Sequence, residues 1–119
     1  MLYLNIFLKR VYDVHPPYEP DTFLIDRLWP RGIAKVRLNG VIWLKDIAPT
    51  NELRKQFHQQ GDWQAFVKDY TMQLNSNAAV WRPLLEIAKK RPLTLLYGSK
   101  DAQHNHAIVL RNYLLAECV

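Results

Sequence analysis

Cysteine is almost absent: Cys118 is the only one in the 119-residue chain. That excludes an intramolecular disulfide and any metal centre built on cysteine. Glycine is scarce too, with four residues. Gly98-Ser99-Lys100-Asp101 therefore has no second glycine followed by Lys-Ser or Lys-Thr, and it is not a phosphate-binding P-loop. Long apolar runs are missing. None approaches the roughly 20 residues a membrane-spanning helix needs, so no membrane partner is expected. The opening stretch from Met1 to Arg10 is apolar first and basic afterwards, the reverse of a secretory leader, and a cytoplasmic protein is expected. No repeat, low-complexity tract or linker divides the chain, which reads as a single domain over residues 1–119.

What is present is a core-former's composition. Hydrophobic residues make up 49% of the chain, with four Trp and six Tyr, which excludes an intrinsically disordered segment. Sixteen Lys and Arg against eleven Asp and Glu give a net charge of +5, which favours anionic partners without choosing among them.

Strands are expected at Leu4–Lys9, Thr22–Ile25, Val41–Leu44 and Leu93–Tyr97. The first is apolar almost throughout and is expected to be covered on both faces. Between the first two, Tyr12 to Asp21 carries three prolines and must be loop. An antiparallel pairing of these two strands and an unusual connection between them both fit the sequence. Thr50 can cap a helix holding Leu53 and Phe57, and Asp62 can cap one in which Trp63, Phe66, Val67, Tyr70 and Leu74 share a face. A third helix carries Val80, Leu84, Ile87 and Ala88. It should start only shortly before Pro83 and end at Lys89-Lys90-Arg91. The last is expected from about Gln103 to Glu117. Strands separated by helical patterns imply a small α/β domain with a mostly parallel sheet covered by helices.

In such sheets ligands bind beyond the carboxyl ends of the strands. Three expected strands end in polar groups there: Asp26-Arg27, Lys45-Asp46, and Tyr97 followed by Lys100-Asp101. Arg27 and Arg31 suit anion binding, because a guanidinium grips phosphate or carboxylate through parallel hydrogen bonds. Lys45, Lys100 and Asn105 are the other candidate ligand contacts, and Asp101 is expected to cap the last helix. On that helix the periodicity puts His104 on the core face and His106 at its margin. His104 therefore suits acid–base work or ligand binding, with a histidine satisfied by a backbone carbonyl as the alternative. Asp46 and Tyr97 are candidate catalytic or orienting partners for it. Arg111 falls inside the apolar arc and needs a partner, for which Asp26 is the expected choice, making a structural ion pair. Trp29 and Trp43 are expected in the core or at its rim. His104-Asn105-His106 does not make a metal site, since residues two apart on a helix diverge; neither a metal nor a cofactor is expected.

Lys9-Arg10-Val11-Tyr12-Asp13, Asp26-Arg27-Leu28-Trp29-Pro30-Arg31-Gly32, Trp43-Leu44-Lys45-Asp46-Ile47-Ala48-Pro49, Glu52-Leu53-Arg54, and Leu95-Leu96-Tyr97 with His104-Asn105-His106-Ala107 resemble one known pattern. It is that of the YeaO-like branch of the bacterial family called domain of unknown function 488. The resemblance covers nearly the whole chain and implies a small bacterial α/β protein, with no established activity. Larger members of that family carry a cysteine at the end of the late strand and a Cys-His-Arg run soon after. Here Tyr97 and His104-Asn105-His106 stand in those places, which puts thiol chemistry in doubt.

Three kinds of function stay open. One is a small-molecule site for a phosphorylated or nucleotide-like ligand, with or without chemistry. A second is a non-catalytic nucleotide sensor or nucleic-acid-associated module, although no helix–turn–helix is apparent and the basic residues are dispersed. The third is a partner-binding domain whose polar strand ends only pair with one another. Oligomeric state is not legible in the sequence.

Overall fold

The computed structural model describes residues 4–118; Met1 to Tyr3, which open the apolar-then-basic stretch, lie outside them. Strands β1 (Ile6–Arg10), β2 (Thr22–Leu24), β3 (Ile42–Trp43) and β4 (Leu93–Tyr97) form one sheet in the order β1-β4-β2-β3. Every pairing is parallel, with Leu8 opposite Leu95, Phe23 opposite Leu95 and Leu24 opposite Trp43. β1 and β2 do not pair at all, because the last strand to form in sequence lies between them. The proline-rich loop is the crossover that carries the chain past the β4 position.

Helices α1 (Asn51–Gln60), α2 (Trp63–Asn75) and α3 (Ala78–Lys90) join β3 to β4, and α4 (His106–Glu117) closes the chain. Thr50 and Asp62 cap α1 and α2 as expected, accepting from Leu53 N–H at 3.3 Å and Ala65 N–H at 3.1 Å. α1 stops where Gly61 takes a left-handed conformation, φ 64°. α3 tolerates Pro83 beyond its first turn: the ring lies on the exposed side, where the lost N–H bond is the main cost.

Alternation along the strands divides the core in two. Phe23, Ile25, Leu93, Leu95 and Tyr97 face the helices and pack with Tyr70, Leu84 and Leu110. Leu24 and Leu96 face the other way, into a smaller cluster with Val11, Ile33 and Leu38 supplied by connecting loops. Helices thus cover one face of the sheet and connecting segments the other. Arg37 ties that loop layer together by donating from Nη2 to the carbonyls of Tyr12 at 3.2 Å and Val14 at 3.1 Å. β1 is an edge strand, not one covered on both sides. Its Ile6 and Leu8 join the helical core, while Phe7 belongs to neither cluster and is 49% exposed. β3 is shorter than expected, and Trp43 sits at the rim against Trp29, rings 5.2 Å apart and edge-on. Among the described residues no helix is long and apolar enough to cross a membrane.

Candidate functional site

A parallel sheet places all its strand carboxyl ends on one side. From β4 the chain turns into the helical layer, and from β2 into the loop layer, so a crevice is expected between these neighbours. The protein's own side chains fill it. Asp26, just past β2, accepts the Gly98 N–H in Oδ2 at 2.9 Å. His106, the first residue of α4, sets Nε2 2.9 Å from the Ile25 carbonyl oxygen and 3.1 Å from Asp26 Oδ1. Both neighbours are acceptors, so Nε2 carries a hydrogen. That hydrogen is aligned with the carbonyl; Asp26 Oδ1 is buried without a hydrogen bond of its own and meets the ring through proximity alone. The two side chains are only 14% and 17% exposed, which makes this knot part of the fold's interior.

Arg27 turns the other way. It donates from Nε to the Pro49 carbonyl at 3.1 Å and from Nη2 to the Ala48 carbonyl at 2.8 Å, bracing the segment that leads into α1. Beside it lies an open depression of about 390 Å³, lined by Arg27, Asp46, Thr50, Gln73, Ser76 and Asn77, with Ala48 and Met72 as apolar wall. Its rim is fixed by internal bonds. Gln73 accepts from Thr50 N–H and donates to Thr50 Oγ1, each at 3.1 Å, and Asn77 Nδ2 donates to the Asp46 carbonyl at 2.9 Å. Beneath it, the Tyr70 hydroxyl donates to the Ile47 carbonyl at 2.7 Å. Burial pushes that phenol far above its usual range, with the Arg27 charge pulling weakly the other way.

The expected site residues separate into groups. Arg27 and Asp46 come together at the depression. Lys45 is exposed, its Nζ 5.5 Å from the centre of the Trp43 ring. Arg31 and Lys100 are exposed in the surrounding loops, and Tyr97 is buried in the helix-side core. None of Arg31, Lys45 and Lys100 forms an ion pair among the described residues.

Three expectations need correction. α4 starts at His106, not near Gln103, because Asn105 caps it: Oδ1 accepts from Ile108 N–H at 3.1 Å while Nδ2 donates to the Asp101 carbonyl at 2.8 Å. Both ends of the Asn105 amide are thereby committed to the fold. Asp101 caps a preceding turn instead, accepting from Gln103 and His104 N–H at 2.9 and 3.0 Å. These bonds hold its carboxyl below the usual range. The histidines consequently exchange places. His104 lies exposed, stacked on Trp63 with ring centres 4.6 Å apart, and His106 is the one satisfied by a backbone carbonyl. Finally, Asp26 pairs with His106 and not with Arg111, whose Nε and Nη2 reach Asn112 Oδ1 at 3.4 Å. Arg111 lies five residues farther along α4, about 7.5 Å from the sheet's end.

Sequence reasoning did not find Gln73, Ser76 and Asn77. They lie at the α2–α3 junction, and nothing in their local pattern separates a depression's rim from an ordinary helix end.

A strand-end cluster without a thiol, in an all-parallel sheet backed by helices on one face, defines the class, and the family profile agrees. The profile described as "Inactive DUF488-N3 subclade" matches residues 5–119, and the chain belongs to that family. It is 45% identical over 112 residues to the "Uncharacterized protein YeaO" of Escherichia coli (strain K12), covering 93% of this chain and 97% of that one. It is 33% identical over 111 residues to the "Uncharacterized protein Rv3073c" of Mycobacterium tuberculosis (strain ATCC 25618 / H37Rv), covering 92% of this chain and 93% of that one. The "Uncharacterized protein Mb3100c" of Mycobacterium bovis is similar to the same degree, 33% over 111 residues, with 92% of this chain and 93% of that one covered. No solved structure matches.

Proposed function

We propose that this protein is a non-catalytic binding module that takes a small molecule bearing a carboxylate or phosphate in the depression beside Arg27. The observation that carries this is the state of the Arg27 guanidinium. It lines the depression, is held rigid by two backbone carbonyls, and has no acidic partner among the described residues. A guanidinium fixed before the ligand arrives loses little side-chain entropy on binding. Arg31, Lys45 and Lys100 add unneutralised positive charge at the same end of the sheet, which raises the local concentration of anions.

Support for a role without chemistry comes from the knot. His106 and Asp26 are spent on each other, on the Ile25 carbonyl and on Gly98. No cysteine stands at the end of β4, where Tyr97 is buried in the core. The family's description as inactive points the same way.

The test is a thermal-shift screen against inorganic phosphate, sulfate, phosphate esters, nucleotides and small carboxylates. A ligand at 100 times its dissociation constant adds about 2.7 kcal/mol of stability, readily seen as a raised midpoint. The shift should vanish in Arg27→Gln, with circular dichroism showing that the variant still folds. A shift that survives Arg27→Gln, or none with any compound, refutes the assignment.

Nucleic acid is the second reading, favoured by exposed Trp43 with Lys45 over its ring. It requires a gel shift with single-stranded DNA at low salt that fades steeply as salt is added.

A further inference from the structure

We infer that the ligand of the depression is a zwitterion of the α-amino acid class, its carboxylate on Arg27 and its ammonium on Asp46. This rests on the assignment of the depression as the binding site and narrows what it accepts.

Arg27 and Asp46 line one concave surface, yet they form no ion pair with each other or with any other described residue. Neither charge neutralises the other, so both remain available to a ligand. Carbonyls of Ala48 and Pro49 lock the guanidinium, and a single 3₁₀ turn at Lys45–Ile47, tied at the Asp46 carbonyl by Asn77 Nδ2, anchors the backbone that carries the carboxylate. A purely anionic ligand meets attraction at Arg27 and repulsion at Asp46, and a purely cationic one meets the reverse. Only a molecule bearing both charges gains at both ends, and specificity follows from that difference.

The remaining polar groups match an ammonium. Asn77 has its Nδ2 committed to the Asp46 carbonyl, which leaves Oδ1 without a hydrogen-bond partner among the described residues, and Ser76 Oγ has none there either. With Asp46, three acceptor-bearing side chains line the depression, as many as an ammonium has N–H donors. Met72, 59% exposed, and Ala48 supply apolar surface for a side chain. The volume of about 390 Å³ falls at the small end of ligand pockets, which run about 300–1,000 Å³, and it fits a single residue better than a peptide or dinucleotide.

The experiment is isothermal titration calorimetry of the full chain against the common L-α-amino acids, one by one. The tightest of them is then compared with its deaminated acid, its decarboxylated amine, and inorganic phosphate. The expected result is that the amino acid binds at least tenfold more tightly than either truncated analogue. Asp46→Asn, at an exposed position whose carboxylate forms no ion pair among the described residues, should weaken the amino acid about tenfold and tighten the deaminated acid. If the deaminated acid or phosphate binds as well as the amino acid, and Asp46→Asn changes nothing, the zwitterion inference is overturned while the anion site stands. If no compound binds, both are overturned together.

Discussion

Gly98 donates its N–H to Asp26 Oδ2 at 2.9 Å, and a Cβ on Gly98 would lie 2.6 Å from that same oxygen. The glycine is therefore demanded by the carboxylate's approach, not by its own backbone angles. Gly98→Ala pushes Asp26 away from the amide and from His106 at once. We predict a loss of about 1–3 kcal/mol, the usual range for overpacking a closed interior site. Urea unfolding measures it; an unchanged midpoint would mean that the carboxylate moves aside freely.

His106→Ala leaves the Ile25 carbonyl facing no donor in a nearly closed crevice and removes the ring that lies 3.1 Å from Asp26 Oδ1. Stranding a buried acceptor costs about 1–3 kcal/mol. If the knot acts as a unit, the losses from His106→Ala and Asp26→Ala are not additive. A double-mutant cycle should return a coupling above about 0.5 kcal/mol. Additive losses would reduce the histidine to a space-filler.

How much of this was legible can be seen at particular residues. The runs at Thr22 and Leu93, and the caps Thr50 and Asp62, follow from local pattern, because alternation and capping are short-range effects. Gathering Arg27 and Asp46 at the strand ends followed from the α/β class. The histidine assignment failed on a boundary. Moving the start of α4 from Gln103 to His106 takes His104 out of the helix, and the choice between Asp101 and Asn105 as cap depends on contacts that sequence does not display. The order β1-β4-β2-β3 was hidden for another reason: it is fixed by pairing across more than seventy residues, and no local signal encodes it.

Tyr70 lies beneath the depression with its hydroxyl on the Ile47 carbonyl, so Tyr70→Phe removes that bond and strands a buried acceptor. We predict a loss of about 1–3 kcal/mol at neutral pH. The pH dependence has a definite sign. A folded phenol raised above its ordinary value of 10.0 stays protonated in alkali where the unfolded phenol ionises, and that ionisation favours the unfolded state. An ionising unfolded chain binds fewer protons than the native one, so stability falls as pH rises above 10.0. Tyr70→Phe should flatten that alkaline decline, measured as unfolding midpoint between pH 8 and about 11; an equally steep decline would assign it to other groups.

At the acid end the corresponding group is Asp101. Two backbone N–H groups, from Gln103 and His104, hold its carboxyl below the ordinary 3.8, with the His104 charge adding in the same direction. A carboxyl depressed in the folded state contributes stability above its unfolded value, and that contribution is lost as pH falls through the lower folded value. Asp101→Asn keeps an oxygen able to accept from both amides but removes the charge. The variant should therefore lie below the wild type at neutral pH, with the gap closing as pH drops below 3.8. Because the same turn sets His104 against Trp63, tryptophan fluorescence should report the change locally while circular dichroism follows the whole fold. A gap that stays constant from pH 7 to 2 would show that the carboxylate's charge is idle and that the turn needs only an acceptor.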